Sequence, residues 1–281
     1  MPLAALQPTD TRALFRPVAS ELVVLLRRLE TADWDRPTVA GAWRVRDVLA
    51  HLVDLTFRRL SFHRDRMAPP PPSRPISSER DFVAFINGLN AEWVDVSHRF
   101  SPRVLTDLFE KASADLADWF EQLPLDAPAL FGVSWAGEQT SEGWFDVGRE
   151  FTELWHHQQQ IRMAVGAPTL EGPQFLRAVL EVALRGLPHA YRDTRAADGE
   201  ALTLHINGPS GGTWTLARGT NGWLLQAGEP AASSTHVRMS DDTAWKLLFN
   251  ALTEPEIKAS LVIDGRADLA APLLRARSIV V

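Results

Sequence analysis

The chain has 281 residues, a formal net charge of −6 and a pI of about 5.8, and 45% of its residues are hydrophobic. This acidic balance argues against nucleic acid and anionic membranes as main partners, because both attract a basic surface. The chain contains no cysteine, which excludes disulfides, cysteine-ligated zinc and a cysteine nucleophile. Any metal that the protein holds must therefore use His, Asp or Glu, and thiol chemistry needs a thiol from solution.

The N-terminal segment lacks the basic stretch and apolar core of a secretory signal. No apolar run approaches the ~18–20 residues that a membrane-spanning helix needs. A cytoplasmic protein without a membrane partner is therefore expected. The length and the ordinary apolar content suffice for two domains with real cores.

Two amphipathic helices are predicted near the N-terminus. They cover residues 14–29 and about 45–63, and each has apolar residues at every third or fourth position. His51 lies on the apolar stripe of the second helix, beside Val48 and Leu52. A histidine in that position is most often a hydrogen-bonded core residue, so this helix alone does not indicate a ligand.

Serine, proline and glycine positions divide the next hundred residues into further helices. The proline-rich stretch 68–75 predicts an extended connector. Ser78 and Ser101 occupy the N-cap positions of helices that reach about residues 99 and 120. Residues 143–166 then predict one long helix, closed by Gly166. The five helices together predict a four-helix bundle with one extra helix in residues 1–167.

The hydrophobic period changes after the Pro- and Gly-containing stretch 168–173, which predicts a domain boundary. Alternating apolar residues predict strands around residues 202–206, 214–216, 223–225 and 236–239. The flanking patterns predict a helix at 175–191, a helix at about 242–252, a strand at 259–263 and a helix across 268–274. Residues 168–281 are thus expected to form a small α+β domain with an antiparallel sheet.

Glu153 and His157 stand four residues apart on the predicted long helix. That spacing puts both side chains on one face, about 5–6 Å apart at Cβ, so that they can hold one divalent ion. Glu150 lies on the same face one turn earlier, whereas His156 is rotated away from His157 by about 100°. Such a pair is more often solvated or part of a core, so a third ligand on a facing helix is required.

His51 is the residue that can complete the set. Bundle cores often hold metal ions between facing helices, and two histidines with one carboxylate leave a position open for water or substrate. Open zinc sites have this donor set, and the same donors could hold iron as a facial triad.

Three stretches of the chain carry motifs that occur together in one known family. The first contains Asp33–Trp34, Pro37–Thr38 and Trp43-x-Val45-x-Asp47-Val48-Leu49-Ala50-His51-Leu52. The others are Glu153-Leu154-x-x-His157 with Ile161-Arg162-x-Ala164-x-Gly166, and Asp264–Gly265 with Asp268–Leu269 and Pro272–Leu273–Leu274. In this order they resemble the mycothiol-dependent maleylpyruvate isomerase family of the DinB-like superfamily, over nearly the whole chain.

The resemblance implies a DinB-like bundle in residues 1–167 and a sterol-carrier-like domain in residues 168–281. It also implies a divalent ion, usually zinc, on His51, Glu153 and His157, and a small thiol such as mycothiol as co-substrate. Family members often have Asp where Gln160 stands here. No substrate-binding arginine of the C-terminal domain can be matched, so cofactor-binding residues and the substrate stay open.

The main hypothesis is a zinc-dependent, thiol-using isomerase or transferase that acts on a small electrophilic substrate. The ion would lower the pKa of the thiol, and the thiolate would attack an electrophilic carbon. Glu150 is the candidate for moving protons, or else a residue that orients the ligands. Two alternatives remain: a non-catalytic metal protein whose C-terminal domain binds an apolar ligand, and a hydrolase that uses zinc hydroxide. The sequence does not specify the oligomeric state.

Overall fold

The computed structural model describes residues 3–72, 74–230 and 235–279. These residues form two compact units. The helical unit contains residues 11–125 and 153–169, and the sheet unit contains residues 3–10, 126–152 and 170–279. The long helix therefore contributes to both units, so they do not follow the predicted division between residues 167 and 168. As a division into DinB-like and sterol-carrier-like domains, that boundary stays a prediction.

The helical unit is built from the helices that the hydrophobic pattern predicts. Their bounds are Phe15–Leu26 (α1), Val45–Arg58 (α2), Glu79–Ser97 (α3), Pro102–Glu121 (α4) and Gly143–Val165 (α5), of which residues 153–165 belong to this unit. The second predicted helix continues beyond Arg58 as a wider π-helical turn over Arg59–Arg64. The predicted class, a helical bundle followed by an α+β region, is confirmed.

Local capping determines where these helices begin and end. The hydroxyls of Ser78 and Ser101 accept hydrogen bonds from backbone N–H groups three residues on, as N-caps do. At the end of α5, Gly166 has a φ of 70°, and Ala167 N–H donates to the carbonyl of Arg162 at 2.9 Å. With the Gly166 to Met163 bond at 3.3 Å, this is a Schellman termination.

The core of the helical unit lies between the apolar stripes of its helices. On α2, Val48, Leu49 and Leu52 are at most 2% exposed. On α5, Trp155 and Ile161 are fully buried. The His51 ring lies on the same helix as the first three and is 5% exposed, so the bundle encloses a polar group.

The sheet unit contains six strands in the described residues, in the order β1-β4-β3-β2-β5-β6. They are Ala4–Ala5 (β1), Ala201–Asn207 (β2), Gly212–Gly219 (β3), Gly222–Ala227 (β4), Thr235–Ser240 (β5) and Val262–Asp264 (β6). All neighbours pair antiparallel except β2 and β5, which are parallel. Helices of the same unit are Pro173–Ala183 (α6), Leu187–Ala190 (α7), Asp241–Leu248 (α8), Glu254–Ser260 (α9) and Ala267–Ala270 (α10).

One predicted strand begins too early, and the helix that precedes it was not predicted. Residues 259–263 are predicted as a strand, but the chain forms α9 over Glu254–Ser260 and only then the short β6. A capping box between Thr253 and Glu256 starts this helix, with Pro255 in its first turn. The predicted helix at 175–191 is divided into α6 and α7 by a 3-10 turn, and the predicted helix at 268–274 into α10 and a 3-10 turn. None of the helices in the described ranges is long and apolar enough to cross a membrane.

Substitution of Gly166, which terminates α5, tests this fold. Gly166→Ala should lower the stability of the protein by about 1 kcal/mol, because its left-handed backbone disfavours a Cβ. The matched control is Gly88→Ala in the middle of α3, where an added Cβ meets no atom within 4 Å. That change should instead raise stability by about 0.5–1 kcal/mol. Urea unfolding midpoints measure both, and shifts of the same sign would contradict the assignment.

Candidate metal centre

Three side chains from two helices of the helical unit meet in its core. His51 comes from the second turn of α2, and Glu153 and His157 come from successive turns of α5. One nitrogen or oxygen of each residue lies within 4.8 Å of those of the other two. Both histidines are buried, at 5% and 7% exposure, and Glu153 is half-buried. The structure thus brings together the three residues that the sequence predicts as ligands.

The ring of His157 is oriented by its own helix. Its Nδ1 lies 2.8 Å from the Gln160 side-chain oxygen, which accepts a hydrogen bond from the ring N–H. In the neutral ring the proton is then on Nδ1, and Nε2 carries a lone pair. That nitrogen lies 3.4 Å from Glu153 Oε2. Two electron-rich atoms therefore face each other across a gap that suits a cation.

His51 is held in its neutral form by its surroundings. Burial lowers the pKa of His51 well below its ordinary value, and the nearby positive charges of His157 and Arg58 lower it further. Its Nδ1 is buried and has no hydrogen-bond partner in the described part of the chain. A core histidine normally satisfies that nitrogen. The neutral ring with a buried lone pair is instead the form that binds metals.

These residues fit a divalent transition-metal ion. Tetrahedral zinc at about 2.0–2.1 Å from its ligands requires ligand atoms about 3.3–3.4 Å apart. The distance between His157 Nε2 and Glu153 Oε2 is 3.4 Å. Two imidazoles and one carboxylate form the donor set of an open zinc site. The orphaned nitrogen of His51 and this spacing both fit such an ion.

Aromatic rings surround the two histidines. The indole of Trp43 lies 4.9 Å from the His51 ring, and the His51 and His157 rings are 4.7 Å apart, edge to face. The His156 ring is tilted against the His157 ring at 4.0 Å, and its Nδ1 lies 3.8 Å from Glu153 Oε2. His156 does not belong to the group whose donor atoms all approach within 4.8 Å. This agrees with the helical spacing, which predicts that His156 points away from His157.

Glu150, the candidate proton carrier, takes part in a cluster of charges. Its carboxylate lies 3.0 Å from the guanidinium of Arg149, which also donates to Asp146 at 2.7 Å. Glu150 and Asp146 are both buried. This environment suits a structural ion pair, and a role in proton transfer stays a prediction.

Gln160 is a neighbour of the candidate ligands whose part the sequence leaves open. Its amide oxygen accepts a hydrogen bond from the Nδ1–H of His157 and so orients that ring. The spacing of three residues from His157 on one helix is the signal for this contact.

The family follows from a comparison with known sequences. The model of the mycothiol maleylpyruvate isomerase N-terminal domain matches residues 15–162, which is more than half of the chain. The chain belongs to this family. The match includes α1–α4, most of α5 and all three residues of the candidate metal centre. No curated protein sequence matches the chain.

Solved structures with the same fold carry a related name. A crystal structure of the mycothiol-dependent maleylpyruvate isomerase aligns with a TM-score of 0.54 and 15% identity, over 86% of this chain and 88% of that one. A histidine-to-alanine mutant with the same name aligns with a TM-score of 0.52 and 14% identity, over 92% and 93%. At this identity the likeness concerns the fold.

Removal of a ligand should remove a bound ion. His157→Ala leaves two of the three donors, so the metal-stripped variant should take up one equivalent of tightly bound zinc fewer than the wild type. Gln160→Ala should keep that equivalent but weaken its binding about 10–100-fold, because it removes only the orienting partner. Isothermal titration of the full chain with zinc measures both. His98→Ala, whose ring is half exposed, is the histidine control and should bind as the wild type does.

A second test separates a metal ligand from a core histidine. His51→Leu replaces a buried nitrogen that lacks a partner with apolar surface, so the metal-free variant should melt at a higher temperature than the metal-free wild type. In excess zinc the order should reverse, because only the wild type gains binding free energy. Thermal melts with and without zinc give the result. A variant that is less stable in both conditions would indicate a structural role alone.

Proposed function

We infer that the protein is a metal-dependent enzyme that uses a low-molecular-weight thiol to isomerise or modify a small electrophilic substrate. The observation that carries this inference is the buried group of His51, Glu153 and His157 in a chain of the isomerase family. One solved structure with the same fold bears the name of the mycothiol-dependent maleylpyruvate isomerase. Mycothiol is therefore the proposed co-substrate, and maleylpyruvate is the first substrate to try.

The three side chains have separate tasks in this proposal. His51 and His157 would each offer a neutral ring nitrogen, and Glu153 would supply the negative charge that offsets part of the ion's charge. Gln160 keeps the proton of His157 on Nδ1, so that Nε2 points to the ion. When bound, zinc would act as a Lewis acid that keeps an added thiol in its thiolate form at neutral pH.

The absence of cysteine in the sequence makes an external thiol necessary for sulfur chemistry. A free thiol has a pKa of ~8.5, so only a few per cent is thiolate at neutral pH. A set of three protein ligands leaves one coordination position for the thiol. The thiolate would add to an electrophilic alkene carbon of the substrate while the π-electron pair moves to the conjugated carbonyl, and loss of the same thiolate would restore the double bond.

The reaction product distinguishes an isomerase from a transferase, a hydrolase and a non-catalytic protein. An isomerase must release the thiol again, so the product has the mass of the substrate. A transferase leaves the thiol in the product. A zinc hydrolase, the alternative that the same donors support, adds water and needs no thiol. A non-catalytic metal protein gives no product at all.

The proposal predicts that turnover requires both metal and thiol. The zinc-loaded full chain should convert maleylpyruvate only when mycothiol is added, and chelation should abolish the reaction. Glu153→Gln keeps the size of the side chain but removes its charge, so it should lower both zinc affinity and the rate by at least about tenfold. Product formation followed by chromatography and mass spectrometry is the measurement.

Controls make the result specific. Glu121→Gln, at the exposed end of α4, removes a carboxylate far along the chain from the ligands and should leave the rate unchanged. Added zinc should restore the chelated wild type but not Glu153→Gln. Turnover that survives chelation, or that proceeds equally without thiol, would contradict the proposed function. A panel of other electrophiles tests whether maleylpyruvate is the substrate.

A further inference from the structure

Two histidines and one glutamate also meet in the sheet unit. His205 lies on β2, His236 lies on β5, and Glu229 follows the end of β4. Because β2 and β5 pair in parallel with Thr203 opposite His236, the two histidines are diagonal neighbours on one face of the sheet. That face is the one opposite the buried side chains of Leu204 and Val237. The strand backbones therefore keep the rings close together.

The donor atoms of this group have the spacing of a metal site. His205 Nε2 lies 3.2 Å from His236 Nδ1, and Glu229 Oε1 lies 3.6 Å from His236 Nδ1 and 3.9 Å from His205 Nε2. Tetrahedral zinc requires separations of about 3.3–3.4 Å. The three distances lie on both sides of this value, so small side-chain rotations suffice to place all three atoms around one ion.

A hydrogen bond between the two rings does not explain the position of the Glu229 carboxylate. Two neutral imidazoles at 3.2 Å can share one proton, as a histidine pair does. Glu229 Oε1 faces both ring nitrogens at 3.6 and 3.9 Å, which is beyond hydrogen-bond distance for either one. A cation between the three atoms would satisfy the carboxylate and both rings together.

The charges and exposure around the group favour an open site. The His205 and His236 side chains are 20% and 18% exposed and the Glu229 side chain is 36% exposed, so solvent reaches the donors. Arg238, opposite His205 on β5, adds a positive charge that helps to lower the pKa of His205, although burial is the larger cause. This arginine would weaken the binding of a cation, and it supplies a variant with a defined direction of effect.

We propose that His205, Glu229 and His236 form a second site for a divalent transition-metal ion, separate from the centre on His51, Glu153 and His157. Two imidazoles and one carboxylate select ions such as zinc over magnesium or calcium, which prefer oxygen ligands. The fourth position is open to water. The site joins β2, β5 and the segment after β4, so a bound ion also fastens three parts of the sheet unit together.

Zinc titration of the metal-stripped full chain tests the site. The double variant H51A/H157A removes the donors of the first centre and should still bind one equivalent of zinc. Adding H205A and H236A to this background should abolish that equivalent. If the first centre does not bind metal, the wild type should bind one equivalent that H205A/H236A alone removes, so the two proposals fail independently. Equal zinc binding by H51A/H157A and the quadruple variant would overturn the second site.

Milder variants guard against loss of folding. Glu229→Gln in the H51A/H157A background keeps the shape of the side chain and should weaken zinc binding at least about tenfold. Arg238→Gln in the same background should tighten it, since a positive neighbour is removed. Circular dichroism without metal verifies that each variant is folded. Unchanged affinity in both variants, or displacement of zinc by equimolar magnesium, would contradict the proposal.

Discussion

The helical unit is arranged around three candidate metal ligands that meet in its core, two of them buried and one half-buried. His51, Glu153 and His157 place one donor atom each within 4.8 Å of the others, and His51 Nδ1 lacks a hydrogen-bond partner among the described residues. Without a cation, the lone pair of His157 Nε2 faces the half-buried carboxylate of Glu153 at 3.4 Å, which is unfavourable. A divalent ion bound there would make the same arrangement stabilising.

The surrounding elements keep that group in position. At the start of α2, the N–H of Arg44 donates to the Asp47 carboxylate at 2.9 Å, within a capping box that fixes the first turn of the helix. At the other end, the Schellman turn at Gly166 terminates α5 two turns after His157. Within α5, the hydrogen bond to Gln160 fixes the orientation of the His157 ring. Ligands on well-terminated helices lose little freedom on binding, which suits a preformed metal site.

Local signals made most of the helical unit predictable from sequence. Ser78, Ser101 and Gly166 mark helix ends through short-range hydrogen bonds, and Glu153 and His157 share a face by helical spacing. The choice of His51 as the third candidate ligand depended on the predicted bundle and on the family resemblance, because its partners are about a hundred residues away. The short helix α9 was missed because it buries only Ile257, which leaves little helical period. The grouping of His205, Glu229 and His236 depends on the parallel pairing of β2 with β5, which no local pattern specifies.

X-ray absorption at the zinc edge tests the central claim most directly. The sample is the zinc-loaded H205A/H236A variant, measured with and without a saturating small thiol, so that the first centre alone is observed. The chain has no cysteine, so a thiolate sulfur bound to zinc must come from the added thiol. The account predicts two imidazole nitrogens and a carboxylate oxygen at about 2.0–2.2 Å, and one sulfur at about 2.3 Å that appears only with thiol. A zinc shell without imidazole, or without sulfur at saturating thiol, would contradict it.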